Sequence, residues 1–357
     1  MGSFPVAARV RMRALWLGGP VAGIAIAVAA STACKEGPSE LPPLLAQGGS
    51  NVDAGADVWT PGPDAGTVVV LASGVATPTS IALDASNVYW TDNAGAVWSV
   101  PRGGGPTTLI TTGQASPLGI VVNGNGYWLA GNSATSEGSV VAFDFTSGLA
   151  TSIASGLAGS YGLVASPSYV FWAARNASST GVSLQELALG SDAGVPVELA
   201  TVTGGGSAGG LAVDADFAYF AVSMTGGGGA VAKVPLTGGP PATVWTTPTG
   251  EPTDLVLGAG AIYWLVPAAT PLGEVWSAPS GGTPAVLAAG LNGPGHLAVD
   301  GTNAYWTSPG EGEIDSIPLV PGGNAAVLAG ALATPMALVV DDALYFTTVD
   351  GISKLSI

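Results

Sequence analysis

Few residues in this chain can carry chemistry. Its one histidine, His296, stands in NGPGHLAVD, and its one cysteine, Cys34, follows an apolar N-terminal run. A single imidazole with no thiol beside it cannot build a His/Cys zinc site. No Ser-His-Asp spacing points to a nucleophile either. Carboxylates are the more serious carriers. Asp84, Asp214, Asp300 and Asp341 each end an apolar segment at an equivalent place. Such a ring could supply oxygen ligands to calcium, or each Asp could cap the backbone N–H groups of its own turn. Asn123, Ser166 and Gly258 fill the same place in other segments, a set typical of turns, so turn chemistry is the expectation. A second group falls in loops of variable length: Asp92, Glu137, Glu251, Asp254, Glu274, Glu311, Glu313 and Asp350, with Asn93, Asn132, Arg175 and Asn176.

The elements that position these residues repeat. An aromatic pair recurs as Tyr89-Trp90, Tyr127-Trp128, Phe171-Trp172, Tyr219-Phe220, Tyr263-Trp264, Tyr305-Trp306 and Tyr345-Phe346, at intervals of 38, 44, 48, 44, 42 and 40 residues. Each unit reads as four short strands. The first is almost wholly apolar (SIALD, GIVVN, GLAVD, HLAVD), as a strand buried on both faces should be. The second holds the aromatic pair. The third runs into a Pro- and Gly-rich hairpin such as VPRGG or VPLTGG. The fourth is outermost (TTLIT, ATVWT, AVLAA). A period of about 40–50 residues with about four strands each is the pattern of propeller blades. Helical periodicity is absent, and Gly or Pro interrupts each short run. The last unit lacks its fourth strand, and a spare one, TVVVLAS at Thr67–Ser73, precedes the first anchor. The predicted fold is therefore all-β: a seven-bladed propeller of four-stranded blades, closed by residues 67–73 joining the last blade.

Tyr89-Trp90-Thr91-Asp92 matches in full the motif of the YWTD (LDL-receptor class B) propellers, and over about Thr67 to Ile357 the repeat resembles that family and the broader NHL-like group. Tyr305-Trp306-Thr307-Ser308 and Tyr345-Phe346-Thr347-Thr348 keep the Thr but lose the Asp, the other units lose both polar residues, and typical members have six blades rather than seven. The resemblance implies a propeller fold with binding on the face where variable loops gather. The expected binding face comprises Asp92, Asn93, Asn132, Glu137, Arg175, Asn176, Glu251, Glu274, His296, Glu311 and Glu313. Lactonase-type propellers hold a divalent metal at the channel mouth with one Glu and Asn and Asp residues. No local motif assigns such ligands here, so a cation such as calcium remains an open cofactor and no catalytic residue is assigned. The tryptophans of the second strands recur at one fixed place, which fits packing between blades better than a sugar-stacking platform.

Arg9, Arg11 and Arg13, the apolar run Leu15–Ala30 and the small residues 31–33 form a secretory signal resembling that of bacterial lipoproteins, with Cys34 as the lipidated residue. Ser31 stands where such signals usually carry an aliphatic residue. Residues 34–66, rich in Pro, Gly, Ala and Asp, read as a flexible tether with a reach of roughly 30 Å, and 67–357 as one propeller domain. Eight Lys/Arg against twenty-four Asp/Glu give a net charge of −16. That balance excludes nucleic acid and electrostatic docking on anionic lipid, both of which need clustered Lys/Arg. The sequence thus predicts an exported monomer in the periplasm or at the cell surface, lipid-anchored to a membrane, with the outer membrane favoured. Its expected role is non-catalytic binding of an envelope protein or glycan. The alternative is a metal-dependent hydrolase or lactonase at the channel mouth.

Overall fold

The computed structural model describes residues 66–131, 138–175, 181–190, 195–247, 250–267, 272–279, 281–320, 322–349 and 351–357, side chains of 158–161 excepted. Cys34, Asn132, Glu137, Asn176 and Asp350, with the signal and the tether, lie outside the described residues. Within them the chain is all-β and forms seven four-stranded antiparallel blades.

The first blade shows how sequence becomes strand. Its innermost strand, Pro78–Leu83, is buried at Ile81, Ala82 and Leu83. Its second strand, Asn87–Asp92, is buried from Val88 onward. Strands Val97–Pro101 and Thr108–Thr111 follow outward, the last half-buried to exposed. Apolar content falls from axis to rim because only the inner strands are covered on both faces.

Neighbouring blades bury their apolar residues against each other, producing seven clusters, one at each interface. Trp90, Trp128, Trp172, Trp264 and Trp306 are all at most 1% exposed, so the recurring tryptophans pack the core, as expected. The Thr of the YWTD-type motif is a stitch. The Thr307 hydroxyl accepts a hydrogen bond from the His296 N–H at 2.9 Å and donates to the Met336 carbonyl of the next blade at 3.0 Å. The Ala337 N–H donates to the Thr347 hydroxyl at 2.9 Å.

Ring closure follows the expectation. Val68–Ser73 pairs antiparallel with Gly351–Leu355, Val68 opposite Leu355 and Ser73 opposite Gly351. Joining chain start to chain end removes the open gap between first and last blades. Arg102 of blade 1 locks this seam. Its Nε donates to the Tyr345 hydroxyl at 3.1 Å, its guanidinium lies 5.1 Å over the Tyr345 ring, and Nη2 meets Asp341 at 2.8 Å and Asp342.

One feature differs from seven independent blades. The strand Leu149–Ala165 runs without interruption from the rim of blade 2 to the axis of blade 3, fusing both into one seven-stranded sheet. Its first part pairs with Gly138–Asp144 and its last part with Tyr169–Arg175. Gly162, at φ +70°, lets the backbone bend there, and a Cβ at that position would stand 2.7 Å from the Leu211 Cβ of blade 4.

Candidate functional site

The connections between second and third strands, and those entering each first strand, share one end of the propeller; the Asp turns and Pro-Gly hairpins share the other. On the turn end the Asp residues cap their own backbone. The Asp84 Oδ1 accepts from the N–H groups of Ser86 and Asn87, both at 2.7 Å, and Oδ2 accepts from the Tyr89 hydroxyl at 2.7 Å. Asp300 repeats this with Thr302, Asn303 and Tyr305, and Asp214 with Asp216, Phe217 and Tyr219. Burial opposes ionisation of Asp300, but the N–H groups of Asn303 and Thr302 and the Tyr305 hydroxyl outweigh it and hold its pKa below the ordinary value. Burial, reinforced by the Asp84 and Asp300 carboxylates, pushes the Tyr89 and Tyr305 hydroxyls up. These carboxylates are occupied in turns rather than gathered around the axis.

On the loop end the expected residues divide. Asp92 is 3% exposed and points inward, accepting from the Ala96 N–H and the Trp98 Nε1, both at 2.9 Å. Glu274 accepts from the Trp276 Nε1 at 2.7 Å. The Arg175 guanidinium donates twice to the Gly206 carbonyl, at 3.0 and 2.6 Å, joining blades 3 and 4. Asn93 and Glu251 are exposed but are not drawn to a common point.

One pair of side chains does converge, at the ends of the innermost strands of blades 5 and 6. His296 precedes Leu297–Val299, and Asp254 lies in Thr253–Gly258 of the neighbouring blade. The His296 Nδ1 stands 3.3 Å from the Asp254 Oδ2, which also accepts from the Leu297 N–H. Asp254 is held at φ +48°, a left-handed conformation that non-glycine residues adopt at a cost. The imidazole is 46% exposed. Burial disfavours its charged form, yet the Asp254 carboxylate outweighs that and raises the His296 pKa.

Beside it, the second hairpin of blade 6 carries three acids. Glu311 accepts from the Asn292 Nδ2 at 3.3 Å, and Asp315 accepts from the Ser308 hydroxyl at 2.7 Å. Burial and the charge of Glu311 raise Glu313. Asp315 is pushed up to about 6, chiefly by burial and further by Glu313 and Glu311, with the Ser308 bond opposing. Asp315 was not singled out from sequence, although it stands two residues beyond Glu313 in one strand and so shares its face. Among the described residues no three His, Cys, Asp or Glu side chains converge to hold a metal ion.

The arrangement defines a class: a seven-bladed β-propeller with a histidine–carboxylate pair and an acidic wall at its loop-face mouth. No protein-family model matches the chain, and no curated protein matches it in sequence. Solved structures do. Virginiamycin B lyase from Staphylococcus aureus superposes with a TM-score of 0.66 at 14% identity, covering 82% of this chain and 98% of that one. A catalytically inactive histidine-to-alanine variant of the same lyase with quinupristin gives 0.64 at 14% identity, over 82% and 98% of the two chains. BamB from Moraxella catarrhalis gives 0.52 at 17% identity, over 83% and 94%. At these identities the likeness establishes the fold.

Proposed function

We propose that the protein is an exported, lipid-anchored binding module of the bacterial envelope. Its loop face over blades 5 and 6 holds a partner that presents a cationic segment. One observation carries this reading: Glu311, Glu313 and Asp315 crowd one hairpin of blade 6, where burial first and neighbouring charge second raise Glu313 and Asp315. A Lys or Arg of a partner relieves that crowding and remains paired in a half-buried setting, where ion pairs are screened less than at an open surface. The YWTD-like repeat, the signal resembling that of lipoproteins and Cys34 support delivery of this face to the envelope. The fold shared with BamB is consistent with an envelope role.

The test is capture from envelope extracts on the full chain with Cys34 intact. The wild type is expected to retain a discrete protein, weakened at least tenfold by the double substitution Glu311→Lys and Glu313→Lys and by raised salt. Equal capture by the charge-reversed chain overturns the reading.

The His296–Asp254 pair favours a second reading. A histidine oriented by a carboxylate is the arrangement of a general base, and a histidine is required in the lyase with the similar fold. A lyase, or a hydrolase acting on a cyclic ester, at this mouth would lose turnover in His296→Ala while retaining the partner. Turnover unaffected by that substitution rules it out.

A further inference from the structure

A large cavity lies away from the loop face. It fills the turn-side half of the central channel, about 1110 Å³ in volume, and reaches the surface at the exposed turn residues Ala215, Ala259 and Gly260. The innermost strands wall it with aliphatic side chains, among them Ile81, Val121, Val164, Val213, Leu257 and Val339. The apolar first strands that pack the blades therefore also leave an apolar interior at the axis. A side cleft between blades 4 and 5 extends it past Thr243, Ile262 and Pro279 to Lys233.

Lys233 is the only Lys or Arg lining this space. It is also the exception among the four such residues of the propeller. Arg102 and Lys354 face the carboxylates at the blade 7 seam, and Arg175 faces the Gly206 carbonyl. The Lys233 Nζ lies instead 4.8 Å over the Phe217 ring. Asp214 lines the same cavity, and its carboxylate accepts from the Asp216 and Phe217 N–H groups of its turn and from the Tyr219 hydroxyl. An aromatic face attracts an ammonium but leaves its N–H donors without an anionic acceptor.

We propose that this cavity is a binding site for a single-chain amphiphile with a carboxylate head. The head pairs with Lys233 in the blade 4–5 cleft, and the aliphatic tail lies in the channel. Ligand pockets commonly run from about 300 to 1,000 Å³ and are mostly apolar with a few orienting polar groups, and each methylene removed from water favours the tail's entry. The charge complement selects an acid over an alcohol of the same length. This site lies at the opposite end from the proposed partner face and stands or falls independently of it.

The experiment uses the full chain and cis-parinarate, a fluorescent long-chain carboxylate, competed by palmitate or by hexadecanol below their aggregation limits. The wild type is expected to bind one parinarate per chain and to release it to palmitate at concentrations at least tenfold lower than to hexadecanol. Lys233→Met abolishes that preference without changing hexadecanol competition or the melting temperature. Leu257→Trp, which fills the channel, weakens both competitors at least tenfold. Absence of saturable parinarate binding, a preference unchanged in Lys233→Met, or affinities unchanged in Leu257→Trp each overturns the proposal.

Discussion

The two ends of this propeller use carboxylates in opposite ways. On the turn end Asp84, Asp214 and Asp300 repeat one arrangement: two backbone N–H groups and a tyrosine hydroxyl satisfy each carboxylate. On the loop end of blade 6, three acids share a hairpin in which burial first and neighbouring charge second raise Glu313 and Asp315, while His296 and Asp254 pair across a blade boundary. The turn stabilises the charged carboxylate of Asp300, whereas the blade 6 hairpin destabilises those of Glu313 and Asp315. Regular repetition marks residues that build the scaffold. Departure from it, in loops that the scaffold holds rigidly, marks residues that folding alone does not require.

The largest expected effect breaks the turn end. Asp300→Ala removes two caps and the Tyr305 partner, and should cost about 2–3 kcal/mol in urea unfolding; Tyr305→Phe, losing one bond, should cost about 1 kcal/mol. A cost near zero for Asp300→Ala would erase the distinction between the ends.

The pH dependence sharpens it. Asp300 has a lowered folded pKa, so its contribution is present above the ordinary value of 3.8 and is lost only as pH falls through the folded pKa. Asp315 has a folded pKa of about 6 against 3.8 unfolded, so its ionisation costs stability increasingly as pH rises from 3.8 towards 6. Discounted for its partial exposure, that cost is about 1 kcal/mol. Asp315→Asn should therefore stabilise the protein by this amount at pH 8 and by nothing at pH 3.5, as read from paired denaturation curves. A stabilisation equal at both values would show that charge is not the cause.

Asp254→Asn should change stability less, while lowering the His296 pKa in a histidine NMR titration. His296 contributes stability below its unfolded pKa of 6.5 that is lost as pH rises through its raised folded pKa, and this slope should vanish in the variant. The smallest effect is expected from Glu311→Lys, whose exposed side chain should leave unfolding within about 0.5 kcal/mol of wild type. Its consequence belongs to binding.

Much of this was legible in the chain. The seven aromatic pairs set the blade count because each pair must be buried between two blades, and the spare TVVVLAS segment announced the closure. The Asp turns were legible because Asn, Ser and Gly replace Asp at the same place. The indole bonds of Asp92 and Glu274 were not, since the position of each indole depends on the hairpin's register. The fusion of blades 2 and 3 was also hidden, because Gly156 and Gly162 read as turn signals although the strand bends through them.

The sequence by itself determined blade number, strand order and the mode of closure, since these follow from local periodicity, turn residues and the burial of recurring aromatics. Only the tertiary structure decided which polar groups meet. His296 and Asp254 are 42 residues apart in sequence, and their approach depends on the angle between two blades. The apolar cavity and the position of Lys233 beside it depend likewise on the width of the ring. Such distances arise from the packing of all seven interfaces together, and no single repeat encodes them.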